Sequence, residues 1–310
     1  MRRPGRLQQI LESGHFAVTA EIGPPRSADL TDFRRRAEML RDYVDALNVT
    51  DNQRAVVRAS SQACCGELAR LGIEPVFQIT CRDRNRIALQ SDLLGAAALG
   101  APNVLCLSGD HQSFGSEPGA KNVFDLDSVQ LIETAAGMNR GFFAGGDRLE
   151  GYFQVYPGAA VNPFAGPPEL PELPLLALRK KVKAGAQFIQ TQCVYDVDAF
   201  AGFMARVREA GLDRQVKILA GVAPLKSARA ARYMQEKVPG VYLPDELVKR
   251  LEAAGDQKEE GIRICVEIIE RLKVIPGVAG VHIMAVAWEE VVPELVRRAG
   301  LYPRPGVERS

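Results

Sequence analysis

A closed barrel of eight parallel strands, each followed by a helix, is the fold this sequence predicts, on three observations. Short apolar runs alternate with segments of helical period along the whole chain. The runs are continuous rather than alternating, as in strands buried on both faces. Strict β–α alternation implies parallel strands with right-handed crossovers, and eight such units suit a closed barrel better than an open sheet. The 310 residues leave room for a barrel of roughly 250 residues with additions.

The elements follow in order. Arg6–Gly14 reads as a short amphipathic helix with Leu7, Ile10 and Leu11 on one face, suited to plugging the barrel floor. The strands are Phe16–Glu21, Ala46–Thr50, Pro75–Thr80, Asn103–Leu107, Tyr152–Tyr156, Gln187–Gln192, Val216–Ala220 and Gly280–Ala285. Between them the periodicity predicts helices over Leu30–Tyr43, Asn85–Leu99, Ser128–Asn139, Leu175–Ala184, Ala199–Ala210, Ser227–Glu236 and Pro244–Ala254. Asp29 and Asp83 are candidate N-caps, while Gly72, Gly100, Gly185 and Gly211 follow helical segments as C′ residues. Lys258–Lys273 is an extra helix before the last strand. The class is therefore α/β, a (β/α)8 or TIM barrel with an N-terminal capping helix and that added helix.

Composition excludes several functions. With 39 basic and 38 acidic residues there is no net field to steer a polyanion, so no nucleic-acid partner is expected. No apolar run approaches the roughly 20 residues of a membrane span. Met1–Arg6 carries three arginines with no apolar stretch behind them, unlike a secretory signal. None of the six cysteines forms a C-x-x-C pair, which predicts small buried hydrophobes in a cytoplasmic protein and no iron–sulfur cluster. The adjacent Cys64-Cys65 pair leaves a redox-sensitive reading open. There is neither a G-x-G-x-x-G turn nor a Walker loop. Of three histidines, only His111 falls at the active face, so no multi-histidine metal site is expected.

Chemistry is expected where the strands end. The first strand ends on Glu21 and is broken by Gly23-Pro24-Pro25, because prolines cannot continue a ladder. The other tips offer Thr50-Asp51, Gln78 and Thr80, Ser108-Gly109-Asp110, Tyr156, Gln192 and Gly221. Gly109 would let a flat ligand approach the backbone. The loops His111–Asp127 and Gly158–Pro174 are long enough to be functional, with tolerated insertion as the alternative. For Glu21 the alternative is an ordinary surface acid.

These segments resemble the methylenetetrahydrofolate reductase family of flavin-dependent barrel enzymes, bacterial type. The matching pieces are Thr19-Ala20-Glu21-Ile22-Gly23-Pro24-Pro25, Asn48-Val49-Thr50, Ile79-Thr80-Cys81, Leu107-Ser108-Gly109-Asp110, Tyr156-Pro157, the stretch from Arg179 to Ala186, Thr191-Gln192 and Gly221-Val222-Ala223-Pro224. They stand in the family's order from Phe16 to Trp288. The resemblance implies a flavin across the barrel mouth with a folate stacked on it, and one flavoprotein domain over residues 1–310. It implies that Glu21 protonates N10 of 5,10-methylenetetrahydrofolate, and that hydride from reduced flavin then yields 5-methyltetrahydrofolate. Positioned acid catalysis of this kind is worth ~10²–10⁴-fold. Asp110 matches the flavin-proximal aspartate, which also anchors the pterin, and Gln192 the pterin-binding glutamine. Thr50 and Lys181 match residues holding the flavin and its phosphates, and Gln78, Thr80, Ser108, Gly109, Tyr156 and Asn162 fall among the cofactor-binding positions.

Departures from the family pattern bear on the cofactor and the electron donor. Ser108 replaces an arginine, Gln78 a histidine, Asn162 stands near a flavin-contacting histidine, and Pro174 lies where an aspartate is expected. FAD is the implied cofactor, with FMN as the alternative. Ala228 stands where the family stacks an aromatic ring on folate and nicotinamide, a role that Phe164 or Phe114 could take. The donor is accordingly NAD(P)H or an iron–sulfur partner subunit, within an oligomer or heteromer, as in acetogen-like systems. Two other readings stay open: a proline-dehydrogenase-like flavin barrel, whose C-terminal substrate motif is not found here, and a non-redox pterin-binding or partner-docking subunit.

Overall fold

The structure, a computed structural model, describes residues 4–167, 169–238 and 240–306. Met1 to Arg3, which bear on the absence of a secretory signal, lie outside the described residues. The chain opens with α1 (Arg6–Glu12), then runs β1 (Ala17–Ile22), α2 (Thr31–Leu40), β2 (Ala46–Val49), α3 (Ser61–Arg70), β3 (Pro75–Thr80), α4 (Arg86–Ala98) and β4 (Asn103–Leu107). It continues with α5 (Ser128–Asn139), β5 (Tyr156–Val161), α6 (Leu173–Ala184), β6 (Phe188–Cys193), α7 (Val197–Glu209) and β7 (Lys217–Val222). Three helices follow, α8 (Ala228–Lys237), α9 (Asp245–Ala253) and α10 (Gln257–Lys273), before β8 (Val278–Ile283) and α11 (Val292–Arg298). The eight strands close in sequence order, all parallel, with β8 paired to β1. The (β/α)8 expectation, including the floor helix and the helix before the last strand, is met.

Two hydrophobic layers hold it. Between sheet and helices lie the outward-facing strand residues, such as Val18, Ala20 and Ile22, packed against Phe33, Leu68 and Leu131. Inside the barrel, Ala17, Ala46, Val76, Leu105, Tyr156, Phe188 and Leu219 meet Leu7, Ile10 and Leu11 of α1. The period of two along β1 thus sends Thr19 and Glu21 into the barrel above that apolar floor. Glu74 clamps the plug helix: its carboxylate accepts from the Arg6 and Leu7 amides and from Asn103 Nδ2. Burial pushes the Glu74 carboxyl above its ordinary range.

Four expectations need correction. Ser61–Arg70 is a helix that the periodicity did not single out, started by the Ser60 hydroxyl accepting from the Ala63 amide. Asp83 is not an N-cap, because Asn85 caps α4 and Asp83 is drawn onto the Arg82 guanidinium instead. Asp29 accepts from Thr31 just before α2 without capping it from the N-cap position. The four glycines expected at helix ends all take left-handed φ. Strand five is displaced: the Asn139 amide binds both the N–H and the C=O of Val155, holding 152–155 out of the sheet. The strand then begins at Tyr156 and uses small residues, because the Phe188 ring lies where a side chain on Gly158 would go, 2.2 Å from its ideal Cβ.

All six cysteines are free and buried. Burial pushes the Cys81, Cys193 and Cys265 thiols up to about 12 and Cys64 up to about 11, and holds Cys65 well above its usual value. A thiol that far from ionising is a poor nucleophile. The native chain is therefore expected to resist an aromatic disulfide reagent and to release all six thiols only in denaturant. Rapid native reaction at Cys64 or Cys65 would restore the redox-sensitive reading of that pair.

Candidate active site

The carboxyl ends of the strands form a mouth above a buried polar layer. At the base of that layer, Gln190 of β6 and Asn48 of β2 form a reciprocal amide pair, with Asn48 Nδ2 donating to Gln190 Oε1 at 2.7 Å and Gln190 Nε2 returning to Asn48 Oδ1 at 3.1 Å. Gln190 Nε2 also donates to Thr19 Oγ1 at 3.1 Å, and Thr19 Oγ1 lies 2.9 Å from His282 Nδ1. These groups are among the barrel's buried polar residues, and each has a partner, as groups in low dielectric require.

Glu21 stands one step higher on β1. Its side chain is 16% exposed, and Oε1 accepts from Gln78 Nε2 at 3.2 Å and lies 4.0 Å from His282 Nε2. The carboxylate is therefore neither a surface acid nor a sealed one: Oε1 is held by Gln78, at the carboxyl end of β1. Such a group can exchange a proton with a ligand lying over the strand ends. The Cys193 thiol nearby is pushed up chiefly by burial and further by the Glu21 charge, so it does not compete as an acid.

An ion-pair frame fixes the neighbouring tips. Asp51 is buried and its Oδ2 accepts from the Thr80 amide and hydroxyl, both at 2.9 Å, and from Arg84 Nη1 at 2.7 Å. Arg82, also buried, donates to the Asp110 carbonyl at 3.1 Å and the Asn52 carbonyl at 3.4 Å. The loop after β2 bends through left-handed φ at Asn52, Arg54 and Ala55, and the Arg54 amide donates to Asp110 Oδ2 at 3.2 Å. Gly109 takes φ +90, with an ideal Cβ 3.0–3.1 Å from Arg82 and Thr80. A side chain there would be strained as well as crowded.

The structure sorts the sequence candidates. Glu21 and Gln78 touch, and Thr50, Thr80, Ser108, Gly109 and Asp110 sit on the adjoining tips of β2, β3 and β4. Gln192 is at the end of β6, its Oε1 turned onto the Cys193 amide at 3.0 Å. Three candidates are differently placed. Tyr156 is at the wrong end of its strand, stacked on Phe188 at 5.3 Å in the floor, with burial raising its phenol well above the usual range. Lys181 reaches from α6 to the Ala160 carbonyl at 2.5 Å, and desolvation lowers its ammonium below the usual lysine range. Asn162 follows β5 but is tied to the Gly240 carbonyl at 2.8 Å. Phe114 is exposed on the loop after β4, Phe164 is half-buried beside Tyr242, and Ala228 is buried at the start of α8.

Sequence reasoning missed His282, which it left off the active face. Its signal was a histidine inside Gly280-Val281-His282-Ile283, in register with Thr19 across the β8–β1 pair. A buried imidazole in an apolar strand wants polar partners, and only the barrel interior supplies them.

Three orphaned polar atoms on the mouth side bear on whether a flavin fits there. Thr50 Oγ1 is buried with no hydrogen-bond partner, as are Gln112 Oε1 and Asn122 Oδ1 in the loop after β4. Such atoms are costly unless something meets them. Thr50, Gly109 and Asp110 border that space at the strand tips. Among the described residues no group of three or more His, Cys, Asp and Glu side chains could hold a metal ion. No described helix is long and apolar enough to cross a membrane.

Comparisons with known proteins point to one family. The family profile described as methylenetetrahydrofolate reductase matches residues 6–300. The 5,10-methylenetetrahydrofolate reductase of Salmonella typhimurium is 24% identical over 320 residues, covering 99% of this chain and 98% of that protein. A probable methylenetetrahydrofolate reductase (NADPH) of Caenorhabditis elegans is 25% identical over 97% of this chain but 45% of its own length. The Arabidopsis thaliana methylenetetrahydrofolate reductase (NADH) 1 is 24% identical, with 52% of its length covered. The chain thus spans about half the length of these eukaryotic relatives. A solved Clostridium thermocellum protein described as binding two copies of 5-methyl-5,6,7,8-tetrahydrofolic acid shares the fold, with TM-score 0.60 and 16% identity over 96% of this chain and 98% of that one.

Proposed function

The chain belongs to the methylenetetrahydrofolate reductase family, and from that premise we propose that it reduces 5,10-methylenetetrahydrofolate to 5-methyltetrahydrofolate. The observation that carries the proposal is Glu21, an inward carboxylate held by Gln78 at the open end of a polar layer. Its role is to give a proton to folate N10, which opens the five-membered ring and leaves the exocyclic carbon electrophilic. When bound, a reduced flavin supplies hydride to that carbon. Asp110 and Gln192 orient the pterin, and Thr50 meets the flavin ring through its unpartnered hydroxyl.

FAD is the proposed cofactor, with FMN as the alternative. Lys181, matched to the flavin phosphates, and Asn162, near a flavin-contacting position, are spent on the Ala160 and Gly240 carbonyls, which favours neither. NAD(P)H or an iron–sulfur partner subunit is the proposed donor. The folate-binding description of the C. thermocellum protein, which shares this fold, supports folate as the ligand.

The test is direct. The purified chain should absorb near 450 nm as a flavoprotein, and the mass of the released cofactor should identify it. Under anaerobic conditions 5-methyltetrahydrofolate, and not proline, should bleach that band. A colourless chain that takes up no added flavin would leave the non-redox pterin-binding reading standing.

A further inference from the structure

We infer that His282 is a positioning residue for the acid: the Gln78 amide holds Glu21 Oε1 and the His282 Nε2–H stands within reach of the same oxygen, so the transferable proton sits on Oε2, facing the mouth. The inference rests on the reading of Glu21 as proton donor and deepens it.

The argument is a count of protons along one hydrogen-bond chain. Gln190 Nε2 spends its two protons on Asn48 Oδ1 and Thr19 Oγ1. Of the two hydrogen-bond neighbours of Thr19 Oγ1, Gln190 Nε2 is a donor, so the one that can take the hydroxyl's own proton is His282 Nδ1, 2.9 Å away. A neutral imidazole that accepts at Nδ1 carries its proton on Nε2. That nitrogen lies 4.0 Å from Glu21 Oε1, beyond a formed hydrogen bond but within reach of a small turn of the glutamate side chain. Gln78 Nε2 donates to the same oxygen at 3.2 Å. With the Gln78 donor on Oε1 and the His282 Nε2–H within reach of it, a proton there would face N–H groups, so the acid proton belongs on Oε2. When Oε2 gives that proton to folate N10 and the C–N bond opens, the new carboxylate keeps both donors. The imidazole is 3% exposed, on a strand position fixed by register with Thr19 on one side and Gly221 on the other.

The test has two arms. In the cofactor-free chain, nitrogen NMR of His282 should report the Nε2–H tautomer, and Thr19→Val should populate the Nδ1–H form. A wild-type imidazole protonated at Nδ1 and indifferent to Thr19→Val would overturn the proposal. In the flavin-loaded chain, two amides separate the two nitrogens: asparagine places an amide near the Nδ1 position and glutamine near Nε2. His282→Asn should slow reoxidation of reduced flavin by methylenetetrahydrofolate ~10-fold, the scale of one lost hydrogen bond, while His282→Gln stays within about threefold. Reoxidation by a quinone, which draws no proton from Glu21, should not change in either variant. Equal losses in both variants, or a wild-type rate in His282→Asn, would contradict a positioning role. If wild-type reduced flavin is not reoxidised by the folate at all, the proposed function fails instead, and the NMR arm still decides the tautomer.

Discussion

Glu21→Gln should lower methylenetetrahydrofolate turnover by ~10²–10⁴-fold, the range expected when a positioned acid is lost. Glutamine has nearly the same shape, so it can still accept from Gln78 and still present a polar tip to the mouth. What it lacks is a proton that N10 can take. The flavin contacts proposed for Thr50 and Asp110 are on other strands and do not involve Glu21, so the variant should purify with the same bound flavin. Its stability should also be near that of the parent, because the side chain is partly open to solvent and its contact with the Gln78 amide survives. Steady-state turnover with unchanged flavin content is the measurement, and retained turnover would remove Glu21 from the chemistry.

Asp45→Ala should be the most destabilising single change on the floor of the barrel. The Asp45 carboxylate is fully buried and accepts from the Val18 amide at 2.8 Å, from Arg6 Nη2 at 3.1 Å and from Arg304 Nη2 at 2.5 Å. It therefore joins the entry to β2, the strand beside it, the plug helix and the C-terminal segment. Arg304 is itself 5% exposed at its side chain. Removing the carboxylate strands that guanidinium in low dielectric, which costs about 3–5 kcal/mol for a broken buried pair. A urea midpoint shifted by that amount at constant slope is the expected result. Flavin binding and folate turnover should persist below the transition, because the change lies at the opposite end of the strands from the mouth. A loss below about 1 kcal/mol would mean that the Arg304 segment is held by other contacts.

The barrel was legible because burial on both faces writes each strand as an apolar run, and the runs recur eight times. Strand five was misplaced for a physical reason. Its real sequence, Tyr156-Pro157-Gly158-Ala159-Ala160-Val161, is built of small residues that make room for Phe188, while the flanking Tyr152-Phe153-Gln154-Val155 carries the stronger β signal. That shift carried Tyr156 from the expected mouth to the floor. The place of Glu21 at the mouth was legible because an apolar strand that stops at two prolines leaves its last polar residue at the carboxyl tip. His282, Asn48, Gln190 and Thr19 were not, since a polar residue inside a strand shows no partner until register brings four strands together. The frame of Asp51, Arg82 and Arg84 stayed hidden for the same reason.

The central claim is that the β1 carboxylate meets folate N10 inside the barrel mouth. A crystal structure of the flavin-loaded chain with 5-methyltetrahydrofolate tests it most directly. The pterin should lie over the strand ends with N10 about 2.6–3.2 Å from a Glu21 carboxylate oxygen. A folate bound outside the mouth, or one whose N10 faces a different acid, would contradict the claim.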